Sequence, residues 1–188
     1  MEKSISTINS IMEKYYVTGE IKDDNELRAV LKNKIDKVLF NDAVFALMGV
    51  SDLDTTQNVI LVGFWLDYYS ESNEKPMRDL LLLTFHDSHE DIVGLFQSTF
   101  NNSSENIPIL LKALKNIPEY LQPDDFKYPY IRKIIYAIGA QPQPESLLAL
   151  ERLASETDDE KIKELALHQL EKRRRLGRWE QKQINGID

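Results

Sequence analysis

The sequence of 188 residues contains no cysteine. That absence excludes disulfide bonds, cysteine-ligated zinc, iron–sulfur centres and thiol nucleophiles. Glycine and proline number seven each, too few for a collagen-like or low-complexity chain. Basic residues are in the minority, 23 against 31 acidic residues, so the net charge is −8. This balance disfavours a protein that binds nucleic acid over its whole surface, because phosphate neutralisation requires clustered lysine and arginine.

Long hydrophobic runs are missing as well. The longest nearly apolar stretch covers residues 59–66, whereas a membrane-spanning helix needs about 20 residues. The first residues of the sequence include no apolar run of signal-peptide length. We therefore expect a cytoplasmic protein.

The motifs that mark common active sites are also absent. The sequence has no Gly-x-Ser-x-Gly, no Gly-x-Gly-x-x-Gly and no glycine-rich phosphate loop. His86 and His89 are close in sequence, but their segment is typical of a helix start and matches neither metalloprotease motif. Adjacent acidic pairs such as Asp124-Asp125 favour turns and helix caps over a glycosidase pair, whose carboxylates must face each other across a cleft. We expect a non-catalytic protein with no cofactor and no metal.

What the sequence does contain is helical periodicity. Apolar residues recur at helical spacing, and several segments begin at an Asp, Asn or Pro suited to a helix start. Strand signals are weak, because no Asn-Gly pair lies between alternating apolar runs. The pattern predicts about nine helices, over residues 24–40, 42–50, 57–69, 77–85, 90–100, 106–121, 129–139, 144–155 and 159–175.

An internal repeat is visible in the C-terminal half. Ile131-Arg132 recurs 31 residues later as Ile162-Lys163, and apolar residues further upstream recur 39 residues apart. This arrangement resembles the HEAT-like α-helical repeat. In that repeat the first helix carries an apolar–basic pair, an alanine and a terminal glycine, the second helix often starts with proline, and an acidic turn follows. The matching residues are Ile131-Arg132, Ala137, Gly139, Pro144 and Asp158-Asp159. The match is good over 129–175, moderate over 87–121 and weak over 1–86.

The resemblance implies an all-α, right-handed solenoid of antiparallel helix pairs. The predicted organisation is a single helical domain, 1–188, with N-terminal amphipathic helices at 1–53 and HEAT-like pairs at 54–175. Residues 176–188 would form a flexible or capping tail. An irregular helical bundle is the alternative. Stacked helix pairs bind partners along extended curved surfaces, so the architecture favours a protein-binding role.

The charge is unevenly distributed along the chain. Residues 1–86 carry a formal charge of −5, residues 87–160 carry −7, and residues 161–188 carry +4. The basic run at 172–178 suits the C-terminus of a helix that ends at Gly177 better than it suits nucleic acid or lipid. The acidic surface is therefore predicted on residues 87–160, where we expect a basic protein partner.

In size, acidity, helicity and lack of catalytic motifs, the chain is similar to bacterial immunity proteins of polymorphic and contact-dependent toxin systems, some of which are HEAT-like. The similarity implies a monomer that binds and neutralises a cognate toxin, with a basic nuclease as the expected class, and that contacts neither nucleic acid nor membrane. A HEAT-like adaptor in a larger complex is one alternative, and a helical-repeat lyase or DNA-repair-type enzyme is another.

The candidate partner-binding residues are acidic side chains and aromatic anchors of the kind found at interface hot spots. We expect Pro123 and Pro129 to stiffen the loop between them, after a turn at residues 122–125. The full candidate set is Tyr68, Tyr69, Glu90, Asp91, Glu119, Asp124, Asp125, Phe126, Tyr128, Asp158 and Asp159.

Overall fold

The structure is a computed structural model that describes residues 2–177. Over these residues the chain is all-α, as predicted, with ten α-helices instead of about nine, three short 3₁₀ segments and no strand. The helices are α1 (Glu2–Tyr16), α2 (Asp24–Lys34), α3 (Lys37–Ala46), α4 (Leu53–Leu66), α5 (Glu74–Leu81), α6 (His89–Ser98), α7 (Asn106–Lys115), α8 (Asp124–Ala140), α9 (Glu145–Glu156) and α10 (Glu160–Leu176). None of them is both long and apolar enough to cross a membrane.

The single helix predicted over 24–40 is two helices. The chain leaves helical geometry at Ile35, which is extended, and Asp36 then caps α3 by accepting a hydrogen bond from the Leu39 N–H at 2.8 Å. Leu31 before the break and Phe40 after it are both buried. The apolar pattern therefore continues across the break and did not reveal it.

The turn predicted at 122–125 and the stiff loop up to Pro129 were wrong. Asp124 is the first residue of α8, and the Pro123 carbonyl accepts the N–H groups of Phe126 and Lys127 at 2.9 and 2.8 Å. Pro129 lies inside the helix near its start, where the missing N–H removes only one intrahelical bond. The candidate residues from Asp124 to Tyr128 therefore lie on a helix.

The chain divides into two compact units between His89 and Glu90. In the first unit α1 packs against α2, α3 and α4. Ile8, Leu27, Phe40 and Ile60 are fully buried and bring one residue from each of these helices into the core. The prediction of a single domain stays a prediction.

In the second unit α8, α9 and α10 pack against one another, and α7 packs against α8 and α9. Ile131, Leu150 and Ala166 are fully buried in this core. α10 ends at Leu176 with Gly177 as its cap, and the Gly177 N–H donates to the Arg173 carbonyl. The rest of the predicted tail, residues 178–188, lies outside the described residues.

A close contact in the first unit gives a stability prediction. A Cβ added at Gly63 in α4 would lie 2.5 Å from the Tyr69 ring and 2.6 Å from the buried Phe40 ring. We expect G63A to lower the free energy of unfolding by ~1–3 kcal/mol, because overpacking outweighs the gain in helix propensity. Urea denaturation measures the change.

G94A is the matched control, since Gly94 is also helical but has no atom within 4 Å of an added Cβ. It should raise the free energy of unfolding by up to ~1 kcal/mol, because alanine favours a helix over glycine. Equal effects from the two substitutions would contradict the packing argument.

Candidate protein-binding surface

Four of the predicted residues meet where α8 and α10 begin. The Tyr128 hydroxyl donates to a carboxylate oxygen of Asp159 at 3.1 Å. The other oxygen of Asp159 caps α10 by accepting the N–H groups of Lys161 and Ile162 at 2.9 and 3.2 Å. Partial burial, together with the carboxylates of Asp159 and Asp124, raises the pKa of Tyr128, so its hydroxyl stays protonated as a donor. Asp158 immediately precedes this cap.

Two further predicted residues lie on the first turn of α8, Asp125 and Phe126. We name the whole set, Asp124, Asp125, Phe126, Tyr128, Asp158 and Asp159, the α8–α10 face.

The carboxylates of Asp124, Asp125 and Asp158 are exposed and form no ion pair within residues 2–177. Phe126 is 56% exposed, which is unusual for an aromatic side chain. The first turn of α8 therefore offers a partner both apolar area, from Phe126, and charge, from Asp124 and Asp125. Lys161 reduces the negative charge locally, since its ammonium lies 4.1 Å from the centre of the Tyr128 ring.

The remaining acidic candidates lie elsewhere in the second unit. Glu90 forms an ion pair with Lys133 at 3.0 Å, so part of its charge is already compensated. Asp91 is exposed on the first turn of α6, and Glu119 is exposed in a 3₁₀ segment between α7 and α8. Their role in binding stays a prediction.

Tyr68 and Tyr69 both bond to backbone of the first unit. The Tyr69 hydroxyl donates to the Ile60 carbonyl at 3.0 Å, and the Tyr68 hydroxyl donates to the Ile35 carbonyl at 3.2 Å. Both rings make edge-to-face contacts with Phe40, with centroids 5.4 and 5.9 Å away. These contacts give both residues a packing role, and any contribution to partner binding stays a prediction.

A cleft of about 430 Å³ beside the α8–α10 face was missed by the sequence analysis. Its lining includes Tyr128, Arg132, Lys161, Glu164 and His168. These residues come from α8 and α10, which are far apart in the sequence, so only the packing of the two helices brings them together. The apolar–basic pair of the repeat, which contains Arg132, is the one sequence signal that pointed to this cleft.

The basic residues at the end of α10 are largely used inside the second unit. Arg174 forms an ion pair with Glu151, and the Lys172 ammonium lies 5.2 Å from the centre of the Tyr136 ring. Burial lowers the pKa of the Arg173 guanidinium. Arg174 and Arg175 are both exposed in the last turn of α10. Arg178 lies outside the described residues.

His86 and His89 are buried and bond to backbone. The Ser88 N–H donates to His86 Nδ1 at 3.2 Å, so His86 Nε2 carries the proton and donates to the Leu80 carbonyl at 2.8 Å. His89 Nε2 likewise donates to the Leu83 carbonyl at 2.8 Å, and the two rings stack with centroids 4.1 Å apart. Among the described residues no group of three or more His, Cys, Asp or Glu side chains is placed to hold a metal ion.

No family model, curated protein or solved structure matches this chain. The functional proposal therefore depends on the residues and their geometry.

The buried histidines predict a loss of stability in acid. Burial and the neighbouring His86 lower the pKa of His89 from 6.5 to about 4, and burial also lowers the pKa of His86. Between pH 6.5 and 4 the unfolded chain binds protons that the folded chain does not, so the free energy of unfolding falls as the pH falls. His89 contributes up to ~3 kcal/mol to the free energy of unfolding above pH 6.5, and this contribution is lost as the pH falls to 4. Urea denaturation over this pH range measures it.

Two variants that replace a histidine with glutamine test this prediction, because the glutamine amide keeps an N–H donor. H89Q should flatten the pH dependence, whereas H168Q removes an exposed histidine of α10 and should not. An unchanged slope in H89Q would show that other groups cause the acid sensitivity.

The cap of α10 gives a further prediction. D159A removes both the cap and the bond from Tyr128, so it should lower the free energy of unfolding by ~1–2 kcal/mol. The neighbouring D158A removes an exposed carboxylate without a cap role, so its effect should stay below ~0.5 kcal/mol. Similar losses in both variants, measured by urea denaturation, would rule out a special role for Asp159.

Proposed function

We propose that this chain is a non-catalytic protein-binding module, and that its α8–α10 face binds a basic protein surface. The observations that carry the proposal are the exposed, unpaired carboxylates of Asp124, Asp125 and Asp158 and the exposed ring of Phe126 on the first turn of α8. The Tyr128–Asp159 bond joins the starts of α8 and α10, so the face is held together before a partner arrives.

The partner class we infer is a toxin that the chain neutralises as an immunity protein, acting in the cytoplasm as a monomer. A nuclease must present lysine and arginine to bind phosphate, so its active site is complementary to exposed carboxylates. Long-range attraction would accelerate encounter, and Phe126 would supply buried apolar area in the complex. Covering the basic groups of the nuclease would prevent nucleic acid from binding.

The HEAT-like solenoid is the architecture that we propose for this role. In its favour, α8 packs against both α7 and α9, and α10 packs against both α8 and α9, so from α7 to α10 each helix contacts the next one in the chain. Such nearest-neighbour packing is what stacked helix pairs produce.

The direct test is to identify the protein encoded immediately upstream and express it with and without this chain. We expect growth arrest by the upstream protein alone, rescue on co-expression, and a complex between the purified proteins. D124N/D125N should reduce the association rate constant about tenfold at low salt, because it removes charge from the binding face. Stopped-flow fluorescence measures this rate.

The first unit supplies matched controls. D42N/E71Q makes the same change in charge at exposed residues of that unit and should alter the rate less than about twofold. F126A should accelerate dissociation, whereas F45A, which truncates another half-exposed phenylalanine, should not. Absence of both rescue and binding would refute the toxin, and recovery of the chain in a larger complex would favour an adaptor.

A further inference from the structure

A long groove in the first unit lies outside every candidate site described above. It consists of two clefts of about 620 and 480 Å³ that share Asn9 and Glu13. One wall is the outer side of α1, and the other includes Val50 and the first half of α4. We name it the α1–α4 groove; the residues used below are Asn9, Glu13, Tyr16, Asp52, Asp54 and Asn58.

The charged side chains that line the groove are all acidic. Glu13, Asp52 and Asp54 contribute carboxylates, and no lysine or arginine lines either cleft. Glu13 and Asp54 form no ion pair within residues 2–177. Hydrogen bonds from Thr55 lower the pKa of Asp52, which favours its charged form. The groove is therefore complementary to a cation.

A chain of hydrogen bonds fixes the amides of the groove. Asn58 Nδ2 donates to Asn9 Oδ1 at 3.0 Å, and Asn9 Nδ2 donates to the Thr55 hydroxyl at 2.8 Å. The Thr55 N–H then donates to Asp52 at 2.7 Å. Within residues 2–177, the side-chain carbonyl and the second N–H of Asn58 form no hydrogen bond. An amide with a free donor and a free acceptor matches the hydrogen-bonding groups of an extended peptide backbone.

The groove also has an apolar element and a definite length. Tyr16 is 59% exposed at one end of the groove, where its ring can stack on an incoming cationic side chain. The groove-lining part of α1 extends from Ile5 to Tyr16, which at 1.5 Å per residue is about 17 Å. An extended chain covers that distance with about five residues.

We propose that the α1–α4 groove binds an extended, lysine- or arginine-bearing segment of a partner protein. Glu13 and Asp54 bind the cationic side chains, and Asn58 binds the peptide backbone between them, while the carboxylate of Asp52 caps α4 and adds negative charge to the groove. A helical segment fits less well, because the backbone groups of a helix are already bonded to one another. This site lies in the first unit and does not depend on the toxin-binding function or on the α8–α10 face.

The test uses the full-length protein and the acetylated, amidated heptapeptide Ser-Lys-Ser-Lys-Ser-Lys-Ser. We expect saturable binding in NMR titrations, with shifts in the side-chain amide signals of Asn9 and Asn58. E13Q/D54N should raise the Kd at least tenfold. N58A, which changes no charge, should raise it at least threefold, because it removes the backbone contact. Gln57 is an exposed residue of α4 that also lines the groove. Q57A is therefore a second variant without a change in charge, and it should weaken binding even if N58A fails to fold.

The matched control is D42N/E71Q, which removes the same charge from exposed residues of the first unit that do not line the groove and should change the Kd less than twofold. The corresponding glutamate–serine heptapeptide should not bind. The proposal is overturned if no saturable binding occurs, if D42N/E71Q weakens binding as much as E13Q/D54N, or if the folded neutral variants bind as tightly as the parent. It is also overturned if concentration-dependent dimers in sedimentation are abolished by E13Q/D54N, since a second copy would then occupy the groove.

Discussion

The constraint on which the rest of this structure depends is the unpaired backbone at helix ends. Every α-helix leaves its first N–H and last C=O groups without intrahelical partners, and the described chain is built almost wholly of helices. Side chains satisfy these groups where the ends are buried. Asn106 donates to the Phe100 carbonyl just after α6, and Gln141, which accepts from Asn106, donates to the carbonyls of Phe96 and Ala137. His86 performs the same task for Leu80 in the last turn of α5. A polar side chain that donates to such a carbonyl is required by the fold, because a buried carbonyl without a partner lowers the free energy of unfolding by ~1–3 kcal/mol.

The same constraint divides the acidic residues into two groups. Asp36 and Asp159 each accept backbone N–H groups at a helix start, so their carboxylates are committed to the fold. Asp124, Asp125 and Asp158 lie near helix starts as well, yet they accept no such bond among the described residues and remain exposed. The favourable field of a helix N-terminus lets α8 carry Asp124 and Asp125, and α10 tolerate Asp158 just before its cap, at little cost. A net charge of −8 therefore overstates the charge available to a partner, which is concentrated on the carboxylates that cap nothing.

Periodicity and cap chemistry predicted the helical class and much of the second unit, because apolar spacing and the Asp159 cap are local signals. The break at Ile35 and the start of α8 at Asp124 were missed, since a break between two buried faces and a proline tolerated near a helix start depend on tertiary packing. The sequence predicted which residues belong to the candidate site, but it did not predict how they are arranged in space. Adjacent aspartates can be read from the sequence, but the bond between Tyr128 and Asp159 joins residues 31 positions apart. The sequence did not predict the α1–α4 groove at all, because its walls come from distant segments that share no motif.

The two acidic surfaces are built differently, and the difference determines what each can recognise. The α8–α10 face presents exposed carboxylates in high dielectric, so its attraction is long-ranged, depends on salt and is tolerant of partner shape. The α1–α4 groove adds amides that hydrogen bonds hold in place, so a ligand must also match donor and acceptor positions along about 17 Å of helix. Charge alone accelerates encounter with many basic proteins, whereas fixed hydrogen-bonding groups penalise those whose backbone cannot reach them. We therefore expect the groove to be the more selective of the two surfaces, and the face to associate faster with a basic protein.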